Sequence, residues 1–186
     1  MNNNFLREIP EIEENWYQIK HLFIQKNIRS KTTLLSEGMV SKYIYFINKG
    51  ALRLWNNDDG RDITVQFFFE GQVVSSFESF YLGKNSQFSI ESIEDSNITL
   101  LSKESLDLLS DKFPNINKYI TDIICRRFID YTNFFLSRIK DSPEKRYCDL
   151  LENNPNLIQR VPHYYIASYL GITPVSLSRI RNRIKK

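Results

Sequence analysis

Arg160, Arg179, Arg181, Arg183, Lys185 and Lys186 are the only charged residues from Asn153 to Lys186. That stretch is +6, while the residues before it hold 19 of the 25 basic and all 22 acidic side chains and are −3. A single-sign basic segment on a mildly acidic body attracts phosphate and releases counterions, so the chemistry it suits is nucleic-acid binding. Catalysis is poorly provided for. Only two histidines exist, His21 and His163, far apart, and no glycine-rich phosphate loop, nucleophile elbow or metal-ligand spacing occurs. Cys125 and Cys148 form no pair motif and suit a reducing compartment. An enzyme is therefore not expected, nor is a metal or cofactor.

The elements that must position those cations are legible around them. Ile166, Ala167 and Leu170 sit at helical spacing before Gly171, which can take the left-handed backbone of a tight exit. Thr173 can cap the next helix and Pro174 suits its first position. In that second helix Leu177, Ile180 and Ile184 form an inward stripe, leaving Val175, Arg179, Asn182 and Lys186 opposite. Small Ala167 lets the helices approach, Gly171 turns the chain, and Leu177 closes the core with Ile180, which is the spacing of a helix-turn-helix. Arg179, Val175, Pro174 and Ser178 are the expected base readers. Thr173, Ser176, Arg181, Arg183, Lys185 and Lys186 are expected at phosphates or the helix terminus.

Upstream, Ile12, Trp16, Ile19 and Phe23 predict an amphipathic helix from Glu11 to about Asn27. From Thr32 the period shortens. Tyr43, Tyr45 and Ile47 alternate, as do Ile63, Val65, Phe67 and Phe69, with a hairpin signal at Asn57-Asp58-Asp59-Gly60 between them. Gln87 to Ile93 and Asn97 to Ser102 are further strands, and such spacing indicates an antiparallel barrel or jelly roll. After Pro114, Ile116, Ile120, Ile124, Phe128, Tyr131 and Phe135, with Ile123 and Phe134 beside them, make a broad apolar face on a helix ending near Lys140. A chain this small cannot cover all of that face itself, so a partner helix is expected over Ile120, Ile124, Phe128, Tyr131 and Phe135. Asp141-Ser142-Pro143 then breaks the helix as a hinge. No apolar run approaches a membrane span and the N-terminus lacks a signal-peptide pattern, so a cytoplasmic protein without a membrane partner is expected.

Met39 to Trp55, Asp59-Gly60-Arg61-Asp62, Phe67 to Gly71, Ile93 to Ser96, Pro143-Glu144-Lys145-Arg146 and Ile166 to Arg181 resemble the cyclic-AMP receptor protein and FNR superfamily of bacterial regulators, over about Ile28 to Lys186. The resemblance implies an α+β architecture. A cyclic-nucleotide-binding-like β-roll would occupy residues 1–113, a dimerisation helix 114–140, and a winged helix-turn-helix 141–186. It also implies a homodimer on a pseudo-palindromic double-stranded operator, with RNA polymerase and an unidentified small effector as further partners.

Cyclic-AMP-binding members supply a glutamate for the ribose and an arginine with a serine or threonine for the cyclic phosphate. Aligned on Gly71 and Gly83, Ser76 stands at the glutamate position and Ser86-Gln87 at the arginine pair. Without a guanidinium a buried cyclic phosphate loses its bidentate charge-assisted bonds. Lys84 and Glu78 are the only substitutes at hand. An effector pocket, if present, is expected among Phe69, Ser76, Phe77, Glu78, Phe80, Tyr81, Ser86, Gln87 and Phe88, although such aromatics more often fill a core. FNR-type oxygen sensing requires N-terminal cysteines, and none precedes Cys125. The expected function is thus a DNA-binding regulator not controlled by cyclic AMP. The alternatives are one answering to another small effector in the roll, or a sensor module without DNA binding.

Overall fold

The computed structural model describes residues 9–184, so Lys185 and Lys186 lie outside the described part. The chain divides into two compact units, Met1–Asn56 with Gln66–Ile123, and Asn57–Val65 with Ile124–Lys186.

The first unit opens with α1 (Pro10–Glu14) and α2 (Trp16–Ile19), followed by a 3₁₀ turn, Lys20–Leu22. Eight strands follow in the chain: β1 (Phe23–Ile28), β2 (Thr33–Leu35), β3 (Tyr43–Lys49), β4 (Leu52–Asp58), β5 (Arg61–Phe68), β6 (Val73–Val74), β7 (Ser89–Ser92) and β8 (Ser96–Ser102). They form two four-stranded sheets, ordered β1-β8-β3-β6 and β2-β7-β4-β5. Ile47, Leu52, Ile90 and Ile98, from strands of both sheets, are completely buried, as the antiparallel roll expectation requires.

The single helix expected from Glu11 to Asn27 is not formed. Its apolar period holds through Ile19, but Phe23–Ile28 pairs with β8 from Phe23↔Leu101 to Ile28↔Ser96. β8 already pairs with β3 on its other side, so β1 satisfies backbone groups that would otherwise form an open edge. Helical periodicity cannot register that demand. The β4–β5 turn follows the expected hairpin chemistry. Asp59 and Gly60 both have positive φ, and the Gly60 N–H donates to Asn57 Oδ1 at 3.0 Å. Gly50 is required for a different reason: its φ is +102°, and a Cβ there would collide with Ser96.

Two helices of this unit, α3 (Phe77–Leu82) and α4 (Lys103–Lys112), were not foreseen from sequence. The cap of α4 was nevertheless visible, since Ser102 Oγ accepts the Ser105 N–H at 3.1 Å. The long helix α5 (Ile116–Lys140) starts here. Ile116 is buried with Ile12, Ile19, Phe23, Phe46, Leu101 and Leu109, and Tyr119 and Ile120 pack against that cluster. Ile120, expected in a dimer interface, is half-buried against the roll's own core, where the first turns of α5 cover α4 and α2.

The second unit contains the rest of α5 and four further helices, α6 (Pro143–Asn153), α7 (Pro155–Arg160), α8 (His163–Leu170) and α9 (Pro174–Ile184). Ser142 caps α6 by accepting the Lys145 N–H at 3.2 Å, and Pro143 takes its first position. Tyr147, Leu150, Leu157, Val161, Tyr165, Ile166, Ala167, Leu170, Leu177 and Ile180 are its buried apolar residues. The expected wing is not found: among the described residues from 124 to 184 there is no strand. Only Val161 and Pro162 separate α7 from α8, too few residues for a strand pair. The hairpin segment of this unit is tied to α8 through one hydroxyl. Ser168 Oγ accepts the Thr64 N–H at 2.8 Å and donates to the Asp62 carbonyl at 2.6 Å.

Candidate nucleic-acid interface

The turn between α8 and α9 is built by backbone bonds that only a left-handed residue permits. Gly171 has φ +69°, its N–H donates to the Ser168 carbonyl at 2.9 Å, and the Ile172 N–H reaches the Ala167 carbonyl at 3.0 Å. This double closure satisfies the orphan carbonyls of α8 and redirects the chain within three residues. Thr173 then caps α9. Its Oγ1 accepts the Ser176 N–H at 3.2 Å, and its carbonyl accepts the Leu177 N–H at 3.0 Å. Ala167, Leu177 and Ile180 are buried, whereas Gly171 is exposed and serves the turn rather than the core.

Burying Leu177 and Ile180 forces the other side of α9 outward. Pro174, Val175, Ser178, Arg179 and Asn182 are all exposed, so the four expected base readers share the solvent side with Asn182. Thr173 is exposed and Ser176 half-buried, placed by the cap. Ile184, assigned above to the inward stripe, is exposed because the apolar contacts of α9 end with Ile180. The cations differ among themselves. Arg183 pairs with Glu144 of α6 at 3.1 Å, and Arg181 is half-buried beside His163. Arg179 is exposed and engaged by no carboxylate among the described residues. Burial, then the neighbouring Arg181, hold the His163 imidazole below its ordinary pKa, so it is neutral near pH 7.

Behind the turn, the end of α5 supports α8. Phe134 stacks on Tyr169 with centroids 5.2 Å apart, Arg138 lies 5.2 Å over the Phe134 ring, and Arg146 Nη2 donates to the Leu170 carbonyl at 3.0 Å. A cation at a helix C-terminus is favourable, and here it meets one of the orphan carbonyls. Burial, then Arg146, push the Arg138 guanidinium down from its usual range, and burial pushes the Tyr169 phenol up. None of Phe134, Arg138 or Arg146 was assigned to this support from sequence; an arginine one turn into α6 was the available signal.

The roll residues proposed for an effector divide in two. Ser76 and Ser86 are buried together. Ser86 Oγ lies 2.7 Å from Ser76 Oγ, donates to the Phe88 carbonyl at 2.6 Å and accepts the Phe88 N–H at 3.0 Å. The hydroxyl at the phosphate-anchor position is thus saturated by its own neighbours. Phe80 is buried, and Phe69 and Phe88 are half-buried. Phe77 and Tyr81 instead lie exposed and stacked on each other at 5.8 Å, and Glu78, Lys84 and Gln87 are exposed too. Glu78 lies on the short helix α3 and Lys84 just beyond it, both with their side chains at the surface. Arg53, a guanidinium buried within the roll, is already engaged by Glu91 at 3.2 Å and lies 4.6 Å over the Trp55 ring. Among the described residues no group of three or more His, Cys, Asp or Glu is placed to hold a metal, and no helix is long and apolar enough to cross a membrane.

Comparison with known proteins agrees with this layout. Residues 25–112 match the cyclic nucleotide-binding domain family. The fumarate and nitrate reduction regulatory protein of Salmonella typhi is 25% identical over 174 residues, covering 87% of this chain and 69% of that protein. Among solved structures, the c-di-GMP responsive global regulator CLP of Xanthomonas campestris superposes with a TM-score of 0.77 at 14% identity, covering 93% of this chain and 91% of that one. FixK2 from Bradyrhizobium japonicum gives 0.76 at 19% identity, with 88% and 84% covered. At those identities the structural likeness speaks for the fold. Residues 25–112 thus match a cyclic nucleotide-binding domain, the chain is homologous to a bacterial regulatory protein, and its fold resembles that of CRP/FNR family regulators such as CLP and FixK2.

Proposed function

We propose that the protein is a cytoplasmic transcription regulator that binds double-stranded DNA as a homodimer and does not use cyclic AMP as its effector. The observation that carries the reading is the α8–α9 pair: a capped, glycine-turned second helix that buries Leu177 and Ile180 and offers Pro174, Val175, Ser178, Arg179 and Asn182 to solvent. That face fits a major groove. Arg179 is its guanine reader, since a guanidinium can pair with O6 and N7 together, while Val175 suits a thymine methyl. Thr173, Ser176, Arg181 and Arg183 serve phosphates, Arg183 after release from Glu144. The saturated Ser76–Ser86 pair supports the exclusion of cyclic AMP, because a cyclic phosphate would have to break those bonds and would gain no guanidinium in return.

Selection of genomic fragments on the purified protein tests the reading directly. An enriched two-fold-related motif, bound without added nucleotide and weakened steeply by salt, is expected. On that motif Arg179→Ala should cost about 1–3 kcal/mol, with little effect on random duplex. Equal losses on both would confine Arg179 to phosphate contact. Absence of any enriched motif would remove the DNA-binding reading.

A further inference from the structure

The basic end of the chain, Asn153 to Lys186, has no carboxylate side chain of its own, yet the fold brings one to it. Glu144 Oε2, in the first turn of α6, lies 3.1 Å from Arg183 Nη1 in the last turn of α9. Both side chains keep access to solvent, at 40% for Glu144 and 64% for Arg183. The cations next to Glu144 in sequence are committed elsewhere. Lys145 Nζ donates to Asp141 Oδ1 at 2.9 Å, and Arg146 Nη2 donates to the Leu170 carbonyl at 3.0 Å. A guanidinium meets a carboxylate oxygen through the same charge-assisted bonds that it makes to a phosphate oxygen. Toward Arg183, Glu144 therefore occupies the place that a DNA phosphate would take.

We propose that Glu144 is an intramolecular competitor of the DNA backbone, which holds Arg183 in the free protein and so lowers affinity for every duplex whatever its sequence. The proposal rests on the DNA-binding reading above and on Arg183 as one of its phosphate contacts. Binding exchanges the Arg183–Glu144 pair for an Arg183–phosphate pair, so what the new contact contributes is offset by the contact given up. The exchange also leaves a carboxylate beside the polyanion, where like charges repel. Arg179 escapes this competition, since among the described residues no carboxylate engages it. Glu144 thus acts on the sequence-independent part of binding and leaves base discrimination to the exposed face of α9. An exposed ion pair contributes little to folding, so its removal changes binding without threatening the fold.

Glu144→Gln keeps the shape of the side chain and removes its charge. Fluorescence anisotropy on the full-length protein at low salt should show affinity raised about fivefold, for the selected operator and a random duplex alike. The gain should narrow as salt is added. Arg183→Ala should cost about twofold in the parent and about tenfold in the Glu144→Gln protein, because only there is the phosphate contact free of its competitor. In the Arg183→Ala protein, Glu144→Gln should then gain almost nothing. A rise in affinity cannot come from a variant that fails to fold. The same rise persisting without Arg183 would overturn the competition and assign Glu144 to general repulsion. No rise, or a loss, while the parent still binds duplex would overturn the proposal and leave the DNA-binding reading standing. A rise on the operator alone would overturn its independence of sequence. If the parent binds neither duplex, the DNA-binding reading falls and this proposal with it.

Discussion

Serine and threonine hydroxyls are used differently in the roll and in the helix-turn-helix. In the roll, Ser41, Ser76, Ser79, Ser86, Ser89, Ser92, Ser96 and Thr99 are buried. Ser41 N–H donates to Ser79 Oγ, Ser79 Oγ donates to the Lys84 carbonyl, and Ser86 bonds Ser76 and Phe88. In the helix-turn-helix, Thr173 and Ser176 bond each other and cap α9 at the surface, and Ser178 is exposed. Buried hydroxyls must find partners inside the protein, because one left unpaired costs about 1–3 kcal/mol. Exposed ones remain available to a ligand. The serines just named are engaged inside the roll, where Trp55 Nε1 and Gln66 Oε1 are nevertheless buried without a hydrogen-bond partner, whereas the second half of α5 and α9 keep exposed side chains.

The contrast is broken most severely by closing the open side. Phe128→Glu places a charge on the exposed apolar face of α5 and should yield monomers in sedimentation velocity, with operator affinity lowered about a hundredfold or more by loss of the second recognition helix. Retention of a tight dimer would show that this face is open for another reason. Next in size is Leu177→Ala, which removes a completely buried side chain between α8 and α9. It should destabilise the second unit by about 2–5 kcal/mol. Both tryptophans, Trp16 and Trp55, lie in the first unit. The urea transition followed by circular dichroism at the helix band should therefore shift more than the one followed by tryptophan fluorescence. Coincident shifts would mean that the two units unfold as one.

The closed side is probed by Ser86→Ala, which strands the Phe88 N–H and Ser76. A loss of about 1–3 kcal/mol, seen in the tryptophan transition, is expected, with operator affinity unchanged. Calorimetry should register no cyclic AMP binding to either protein; micromolar binding by the parent would reopen the roll as a nucleotide site. The smallest effect concerns His163, whose pKa is lowered in the folded state by burial and by Arg181. Between that lowered value and the ordinary one near 6.5 the unfolded chain binds more protons, so stability of the second unit falls as pH drops through this window and the loss is complete below it. His163→Gln should flatten that dependence. An unchanged pH profile would assign the loss to other groups.

What sequence alone determined about this protein is what depends on near neighbours along the chain. The helix-turn-helix is recoverable from Ala167, Gly171, Thr173, Pro174 and Leu177, because turn φ, capping and i, i+3 burial are all settled within about ten residues. The hairpin at Asp59-Gly60 and the absent arginine at Ser86-Gln87 are equally local. What only the tertiary structure decided is what depends on partners distant in sequence. Phe23–Ile28 carried the end of a helical period, yet β8, some seventy residues on, needed an edge partner and made it a strand. Ile120 and Phe128 belong to one apolar helix, and periodicity ranks them alike; packing against Ile12, Ile19 and Leu109 took the first and left the second exposed. Ile184 kept its place in the inward stripe but found no core to enter. Periodicity states which residues can be buried together, and the contacts made by the rest of the chain determine which of them are.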